Sequence, residues 1–136
     1  MPVVLRGRGL SRGTGQGPVL VSPEPISFLG GVDPRTGTVI EKGHPLYGKS
    51  VKGTVLVFPC GKGSTVGSYL IYQLKKNGAA PAAMINQRAE PIVAVGAIIA
   101  DIPMVDRPEQ DRIAAIKDGM TVTVDGTAGE IELQEP

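Results

Sequence analysis

The strongest hydrophobic pattern in the chain predicts a strand, a glycine-rich loop and a helix in succession. Gly53–Phe58 is apolar on both faces near its end, which is typical of a buried strand, and Pro59 stops it. Apolar residues then recur at helical spacing, at Val66, Tyr69, Leu70 and Leu74, which predicts an amphipathic helix. Two lysines in its last turn, followed by Asn77-Gly78, are typical of a helix C-terminus.

Weaker patterns predict further strands and helices towards the C-terminus. A strand over Ala82–Asn86 precedes the apolar stretch Pro91–Ala100, which fits a buried helix or a strand; Glu90-Pro91 resembles a helix start and favours the helix. We then expect a short strand, a short helix and a terminal hairpin, over Ile102–Val105, Glu109–Lys117, Met120–Val124 and Glu130–Leu133. The pattern predicts an α/β fold, a single compact domain over residues 1–136 that ends in a C-terminal β-hairpin.

Two segments lack a regular hydrophobic period. Residues 6–17 are rich in glycine and arginine, so residues 1–17 could form a flexible N-terminal arm before a strand over Pro18–Val21. Gly30–Lys52 is dominated by turn residues, and Thr38–Ile40 is a short strand at most. We interpret Gly30–Lys52 as a long loop, and such loops in compact domains are usually functional or disordered.

Composition argues against several classes of protein, namely nucleic-acid-binding, membrane, secreted and metal-binding proteins. The net charge of +1 argues against a nucleic-acid partner or an anionic membrane, and no apolar run reaches the roughly 18 residues of a membrane span. The N-terminus lacks the apolar core of a secretory signal, so we expect a cytoplasmic protein. One cysteine and one histidine exclude an internal disulfide and leave too few ligands for a zinc or iron site built by this chain alone.

The loop Gly61-Lys62-Gly63-Ser64-Thr65 is the best candidate for chemistry. Glycines let backbone amides approach a ligand, and the following helix N-terminus together with Lys62 favours a small anion such as a carboxylate or phosphate. Ser64 or Thr65 could instead simply cap the helix, which is the commoner role for these residues. Ser68 on the first helical turn adds a polar group that a cap does not require.

Other motifs have simpler interpretations. Gly43–Ser50 matches the letters of a phosphate-binding loop, but Ser50 leads into a strand and no helix follows, so we interpret the match as chance. Cys60 and His44 are expected to be structural, since nothing local brings them together. The N-terminal arginines could clamp an anionic substrate, although a solvated arm is the commoner outcome.

The segments Ser22–Val32 and Gly61–Ser68 together resemble the small, swivel-domain subunit of the aconitase X family, and Asn77–Pro81 and Ala94–Ala100 extend the resemblance over nearly the whole chain. The resemblance implies a swivelling β/β/α domain in which Ser64 is the catalytic base. Val66 stands where an aconitase has an arginine that grips a substrate carboxylate. The substrate-binding residues that we expect are Lys62, Gly63, Thr65 and Ser68 in the glycine loop and helix, and Ser27, Gly30 and Gly31 in a second loop.

The resemblance also implies an activity and a partner. The chain would be the small subunit of a heteromeric hydro-lyase that converts (R)-5-phosphomevalonate into trans-anhydromevalonate 5-phosphate in archaeal isoprenoid synthesis. A large subunit would carry a [4Fe-4S] cluster on three cysteines, and this chain would bind no cofactor by itself. Two alternatives stay open: a related dehydratase that acts on another hydroxy acid, such as a hydroxyproline, and a stand-alone anion-binding module.

Overall fold

The computed structural model describes residues 3–62, 66–108 and 115–134. This part of the chain forms eight strands and three helices. The strands are β1 (Val3–Arg6), β2 (Arg8–Ser11), β3 (Thr14–Val21), β4 (Val55–Phe58), β5 (Ala83–Asn86), β6 (Met104–Asp106), β7 (Thr121–Asp125) and β8 (Glu130–Gln134). The helices are α1 (Phe28–Gly31), α2 (Gly67–Lys76) and α3 (Pro91–Ile99). The strand and the helix predicted on either side of the glycine-rich loop are confirmed by β4 and α2, and the terminal hairpin by β7 and β8.

The strands follow one another in the order β1-β8-β7-β3-β4-β5-β6-β2. Strands β3, β4, β5 and β6 are parallel, while β2 pairs antiparallel with β6. On the other side, β7, β8 and β1 continue from β3 as an antiparallel group. Strand β3 belongs to both groups, because its first part, Thr14–Pro18, pairs with β7 and its last part, Val19–Val21, pairs with β4.

The two faces of the parallel strands bury two separate cores. In β4, Leu56 and Phe58 pack with residues of α2 and α3, such as Ile71 and Ala97. The alternate side chains of the parallel strands pack against the antiparallel group, in a cluster that includes Val57, Ile85, Val105, Val122 and Ile131. The antiparallel group therefore covers one face of the parallel strands and the helices cover the other, so the layers run sheet, sheet, helix.

The N-terminal segment is built into the sheets and does not form the flexible arm that the sequence suggested. Residues 3–17 lie largely in strands β1, β2 and β3 of both groups, whereas the sequence suggested an arm that could be flexible. The glycines of this segment serve close backbone crossings: a Cβ on Gly15 would overlap the carbonyl oxygen of Ala82. Glycine in this segment therefore permits packing between strands, and it does not mark a loose chain.

The ends of α2 and α3 follow from local sequence. Helix α2 ends at Lys76, and two residues later Gly78 has φ +70° and donates its N–H to Lys75 O at 3.1 Å. The Glu90 carboxylate caps α3 by accepting from the N–H groups of Ile92 and Val93 at 2.9 and 2.8 Å. The helix predicted over Pro91–Ala100 is thus confirmed, while most of the helix predicted over Glu109–Lys117 lies outside the described residues.

The predicted amphipathic helix is present as α2, but two of the four apolar residues that indicated it do not face the core. The buried residues of this helix are Gly67, Ile71 and Leu74, whereas Val66 and Tyr69 keep 44% and 56% of their surface exposed. Apolar residues lie on two sides of this helix, one with Ile71 and Leu74 and one with Val66 and Tyr69. The helical period alone therefore does not show which side faces the sheet. An apolar stripe that begins at Val66 is consequently left on the surface.

The segment predicted as a long loop, Gly30–Lys52, contains, besides the last two residues of α1, isolated bridges between Val32 and Val39 and between Thr38 and Ser50. It is nevertheless packed, because it buries Val32, Val39, Leu46 and Val51 against the helix-side core. In the described portion of the chain, the longest helix is α2 with ten residues, and no helix there is long and apolar enough to cross a membrane.

Candidate active site

Two loops meet beside the carboxyl ends of the parallel strands. Ile26, which follows β3, forms an isolated parallel bridge with Gly61, which follows β4. The Ile26 N–H donates to Cys60 O at 3.2 Å, and the Lys62 N–H donates to Ile26 O at 3.0 Å. The structure thus brings the start of the glycine-rich loop next to the predicted second loop, at the edge where parallel α/β sheets usually bind ligands.

Gly61 fits this position because the backbone runs close to the start of α3. A Cβ on Gly61 would overlap Val93 Cγ2 and would lie 2.9 Å from Glu90 Oε1. The capping carboxylate of α3 therefore packs directly against the loop that leaves β4. Only glycine lets the backbone come this close without displacing the helix cap.

The second loop is a tight turn, because the short element α1 is interrupted by non-helical backbone at Leu29 and Gly30. The Ser27 hydroxyl donates to Leu29 O at 3.0 Å, and Gly30 has φ +80°, a left-handed conformation that glycine adopts without strain. Gly31 is buried, and its carbonyl accepts from the Ile40 N–H at 2.9 Å. Of the three residues predicted in this loop, Gly30 is exposed and Ser27 is half-buried, so these two can reach a ligand.

Lys62 supplies positive charge at the junction of the two loops. Its exposed ammonium lies 3.3 Å from Glu41 Oε2, and Glu41 also approaches Gly31. Because both side chains of this pair are partly exposed, the attraction between them is weak and an incoming anion can compete for Lys62.

Gly63, Ser64 and Thr65 lie outside the described residues, between Lys62 and Val66 in the chain. The structure therefore fixes the position of both neighbours of the predicted catalytic segment. Ser68, which was predicted to bind substrate, donates its hydroxyl hydrogen to Ile92 O at 2.6 Å and so links α2 to α3.

A row of polar residues at the carboxyl ends of β5 and β6 was missed by the sequence analysis. Asp106 is fully buried, and its carboxylate accepts from Arg8 Nε, Arg8 Nη2 and the Ala89 N–H, each at 2.9 Å. These contacts with Asp106 raise the pKa of the Arg8 guanidinium above its ordinary value, the hydrogen bond contributing most.

Asn86 lies beside Asp106 in strand register and is also fully buried. Its amide nitrogen donates to Phe58 O at 3.1 Å, while Oδ1 has no hydrogen-bond partner among the described residues. The signal that could have found both residues is a polar side chain directly after an apolar strand, since parallel strands bring such positions to one edge.

His44 has a structural role, as expected. Its Nδ1 accepts from the Leu46 N–H at 3.0 Å, which leaves Nε2 to donate to Pro25 O at 3.2 Å. The phosphate-loop interpretation of Gly43–Ser50 was rightly rejected, because Ser50 forms a bridge with Thr38 and no helix follows it. In the described ranges, no group of three or more His, Cys, Asp or Glu side chains could hold a metal ion.

Two stacked sheets under one layer of helices, with paired loops at the carboxyl edge of the parallel strands, define a β/β/α domain. The family model described as the aconitase X swivel domain matches residues 4–133, and this chain belongs to that family. The predicted family and its swivelling β/β/α fold are therefore confirmed.

Relatives cover the chain almost completely. The phosphomevalonate dehydratase small subunit of Methanocella arvoryzae is 74% identical over 129 residues, which cover 95% of this chain and 98% of the relative. The protein of the same name from Thermococcus kodakarensis is 54% identical over 131 residues, 96% of each chain.

Two solved structures share the fold at high sequence identity. A crystal structure of Thermococcus kodakaraensis aconitase X in its holo-form matches with a TM-score of 0.93 and 53% identity, covering 98% of this chain and 99% of that one. A UPF0107 protein solved by solution NMR matches with a TM-score of 0.90 and 48% identity, covering 98% and 100% of the two chains.

Proposed function

We propose that this chain is the small subunit of a heteromeric hydro-lyase that dehydrates (R)-5-phosphomevalonate to trans-anhydromevalonate 5-phosphate. The observation that carries the proposal is the 74% identity, over nearly the full length of both chains, to a protein named phosphomevalonate dehydratase small subunit. At this identity and coverage, the reaction and the subunit role are expected to be shared.

The geometry of the two loops supports substrate binding at this edge. The bridge between Ile26 and Gly61 holds the turn at Ser27–Gly31 against the start of the glycine-rich loop. Lys62 places a positive charge at that junction, and exposed backbone is available at Gly30. The substrate carries a carboxylate at one end and a phosphate at the other. A cation beside glycine-rich turns is suited to bind one of these two anionic groups.

In this proposal Ser64 removes the proton from the carbon next to the substrate carboxylate. A serine hydroxyl becomes a base only as an alkoxide, so its pKa must be lowered by nearby positive charge and hydrogen-bond donors. Lys62, two residues earlier, supplies the full charge, and the amides of Gly63 and Thr65 are proposed to orient the substrate. The start of α2 at Gly67 adds the partial charge of a helix N-terminus.

The partner subunit completes the proposed enzyme. A [4Fe-4S] cluster held by three cysteines cannot be built from this chain, which has a single cysteine, Cys60. We therefore propose that the large subunit holds the cluster, which supplies a Lewis acid for the departing hydroxyl. The role of this chain is then to position the substrate and to accept the proton.

The test is a comparison of two serine variants in the complex reconstituted with the large subunit. Ser64→Ala is expected to lower kcat by about 10²- to 10⁴-fold, the range for loss of a catalytic base. Ser50→Ala, which alters an exposed serine of the long loop, is the matched control and should retain wild-type turnover. Near-normal turnover by a correctly assembled Ser64→Ala complex would rule out the base.

Substrate identity is tested separately on the wild-type complex. Phosphomevalonate should be dehydrated far faster than a hydroxyproline, and loss of water can be followed by the absorbance of the new carbon–carbon double bond. A complex that prefers hydroxyproline would retain the family assignment and contradict the proposed substrate.

A further inference from the structure

Two arginines share one buried carboxylate at the carboxyl end of β6. Asp106 accepts two hydrogen bonds from Arg8 at 2.9 Å each, and its Oδ2 lies 4.0 Å from Arg107 Nε. Asp106 itself is fully buried, but the side chains of Arg8 and Arg107 keep 51% and 53% of their surface exposed. One enclosed carboxylate thus orients two guanidinium groups whose outer sides face solvent.

An ion pair with a purely structural role would need only one arginine bound to Asp106. Arg8 uses its Nε and Nη2 towards Asp106, and among the described residues the other donors of its five-hydrogen fork have no acceptor. Arg107 contacts Asp106 only at the outer limit of an ion pair and has φ +50°, a left-handed backbone that is strained for arginine. Within the ranges that the structure describes, the fold therefore holds a second, loosely paired guanidinium beside the first, on a residue in an unfavourable backbone conformation.

The arginine pair lies on the same edge as the loops of the candidate active site. Phe58, Asn86 and Asp106 are paired across β4, β5 and β6, so Asp106 is two strand spacings, roughly 10 Å, from the end of β4. The connection is direct: Ala89 N–H binds Asp106, and the next residue, Glu90, packs against Gly61. Exposed Arg88 precedes Ala89 and adds positive charge to this edge.

We propose that Arg8 and Arg107 form the binding site for the phosphate group of the substrate, an inference that rests on the proposed function. Paired guanidinium groups match the oxygens of a phosphate with several charge-assisted hydrogen bonds. The carboxylate is the poorer candidate for this site, because it is attached to the carbon that loses the proton and must stay beside Ser64. The phosphate is at the other end of the substrate from the carboxylate. This matches the separation between the arginine pair and the glycine-rich loop.

The test uses a variant that preserves the fold. Arg107→Asn removes the weakly paired charge, and asparagine tolerates the left-handed backbone at this position. Arg35→Asn is the matched control, because Arg35 is exposed and lies near Asn77, at the opposite end of α2. In the complex with the large subunit, Arg107→Asn should raise KM for phosphomevalonate about 10- to 100-fold with kcat little changed, as expected for one lost charge-assisted contact.

The preference of the complex for one substrate over another is a second measurement, and a general structural defect would not change it. The preference of the wild-type complex for phosphomevalonate over unphosphorylated mevalonate should fall in Arg107→Asn and persist in Arg35→Asn. An unchanged KM and unchanged preference in Arg107→Asn would overturn the phosphate site.

A third measurement separates this proposal from the proposed function. Inorganic phosphate is titrated into the isotope-labelled full chain while the guanidinium Nε–H signals of Arg8 and Arg107 are followed by NMR. Saturable shifts that weaken in Arg107→Asn support the anion site even if the wild-type complex does not dehydrate phosphomevalonate. Turnover of phosphomevalonate together with unmoved arginine signals would instead retain the function and reject this site.

Discussion

Ile26 lies opposite Gly61 in a parallel bridge, although neither belongs to a regular strand. The two hydrogen bonds of this bridge join Ile26 to the neighbours of Gly61, from the Ile26 N–H to Cys60 O and from the Lys62 N–H to Ile26 O. The pairing extends the parallel arrangement of β3 and β4 beyond the ends of both strands. It places Lys62 and Ser27 on neighbouring loops, which are the two segments that the family resemblance selected. The described part of the candidate site, from Ile26 to Ser27 and from Gly61 to Lys62, is therefore built by an extension of the sheet.

Replacement of Gly61 should damage both stability and activity. In Gly61→Ala the new methyl group would overlap Val93 and crowd the Glu90 carboxylate that caps α3. We expect a loss of about 1–3 kcal/mol in the free energy of unfolding, the usual cost of overpacking, together with a lower kcat. Denaturant unfolding of the chain and turnover of the complex measure the two effects.

Gly67→Ala is the matched control for Gly61→Ala. A Cβ on Gly67 would lie 3.4 Å from Ile92 Cγ2, an ordinary contact, and alanine favours the helix that begins there. Equal losses in the two variants would show that the close approach at Gly61 is not the cause.

Removal of the Lys62 charge should affect binding and leave stability nearly unchanged. The pair with Glu41 is partly exposed, so Lys62→Met is expected to change the free energy of unfolding by less than about 1 kcal/mol. If Lys62 contacts the substrate anion, KM should rise roughly 10-fold in steady-state assays of the complex. Lys52→Met, at an exposed lysine before β4, should alter neither quantity, and a KM unaffected by Lys62→Met would exclude substrate contact.

Substitution of His44 should weaken the fold and spare the chemistry. His44→Ala removes the acceptor for the Leu46 N–H and the donor to Pro25 O, so the free energy of unfolding should fall by about 1–3 kcal/mol. The kcat of folded complex should stay near the wild-type value at a temperature below the new Tm. Lys42→Ala is the neighbouring control, and a large loss of kcat without loss of stability would instead give His44 a catalytic role.

Local patterns predicted the elements whose partners are close in the chain. The strand over Gly53–Phe58, the end of α2 at Asn77-Gly78 and the hairpin of β7 and β8 each follow from a period or a turn signal within a few residues. The family resemblance then identified the two loops, because it compares segments that local periodicity does not connect.

The missed features depend on contacts between distant segments. Arg8 pairs with Asp106, which lies 98 residues away in the sequence. No local pattern around either residue indicates that the two are partners. The strands of the N-terminal segment were missed for the same reason, since β1 pairs with β8 and β2 with β6. In α2, a helical period fits both apolar stripes, and only the position of the sheet decides that Ile71 is inside and Tyr69 outside.

The pairing of β1 with β8 has a consequence for synthesis. Val3 pairs with Leu133, so β8 must emerge from the ribosome before β1 can form its hydrogen bonds with it. Strand β2 must likewise wait for β6. Domains dominated by such non-local pairings fold on a timescale of about milliseconds to seconds. During translation β1 and β2 therefore stay without their partner strands until β8 and β6 have been synthesised.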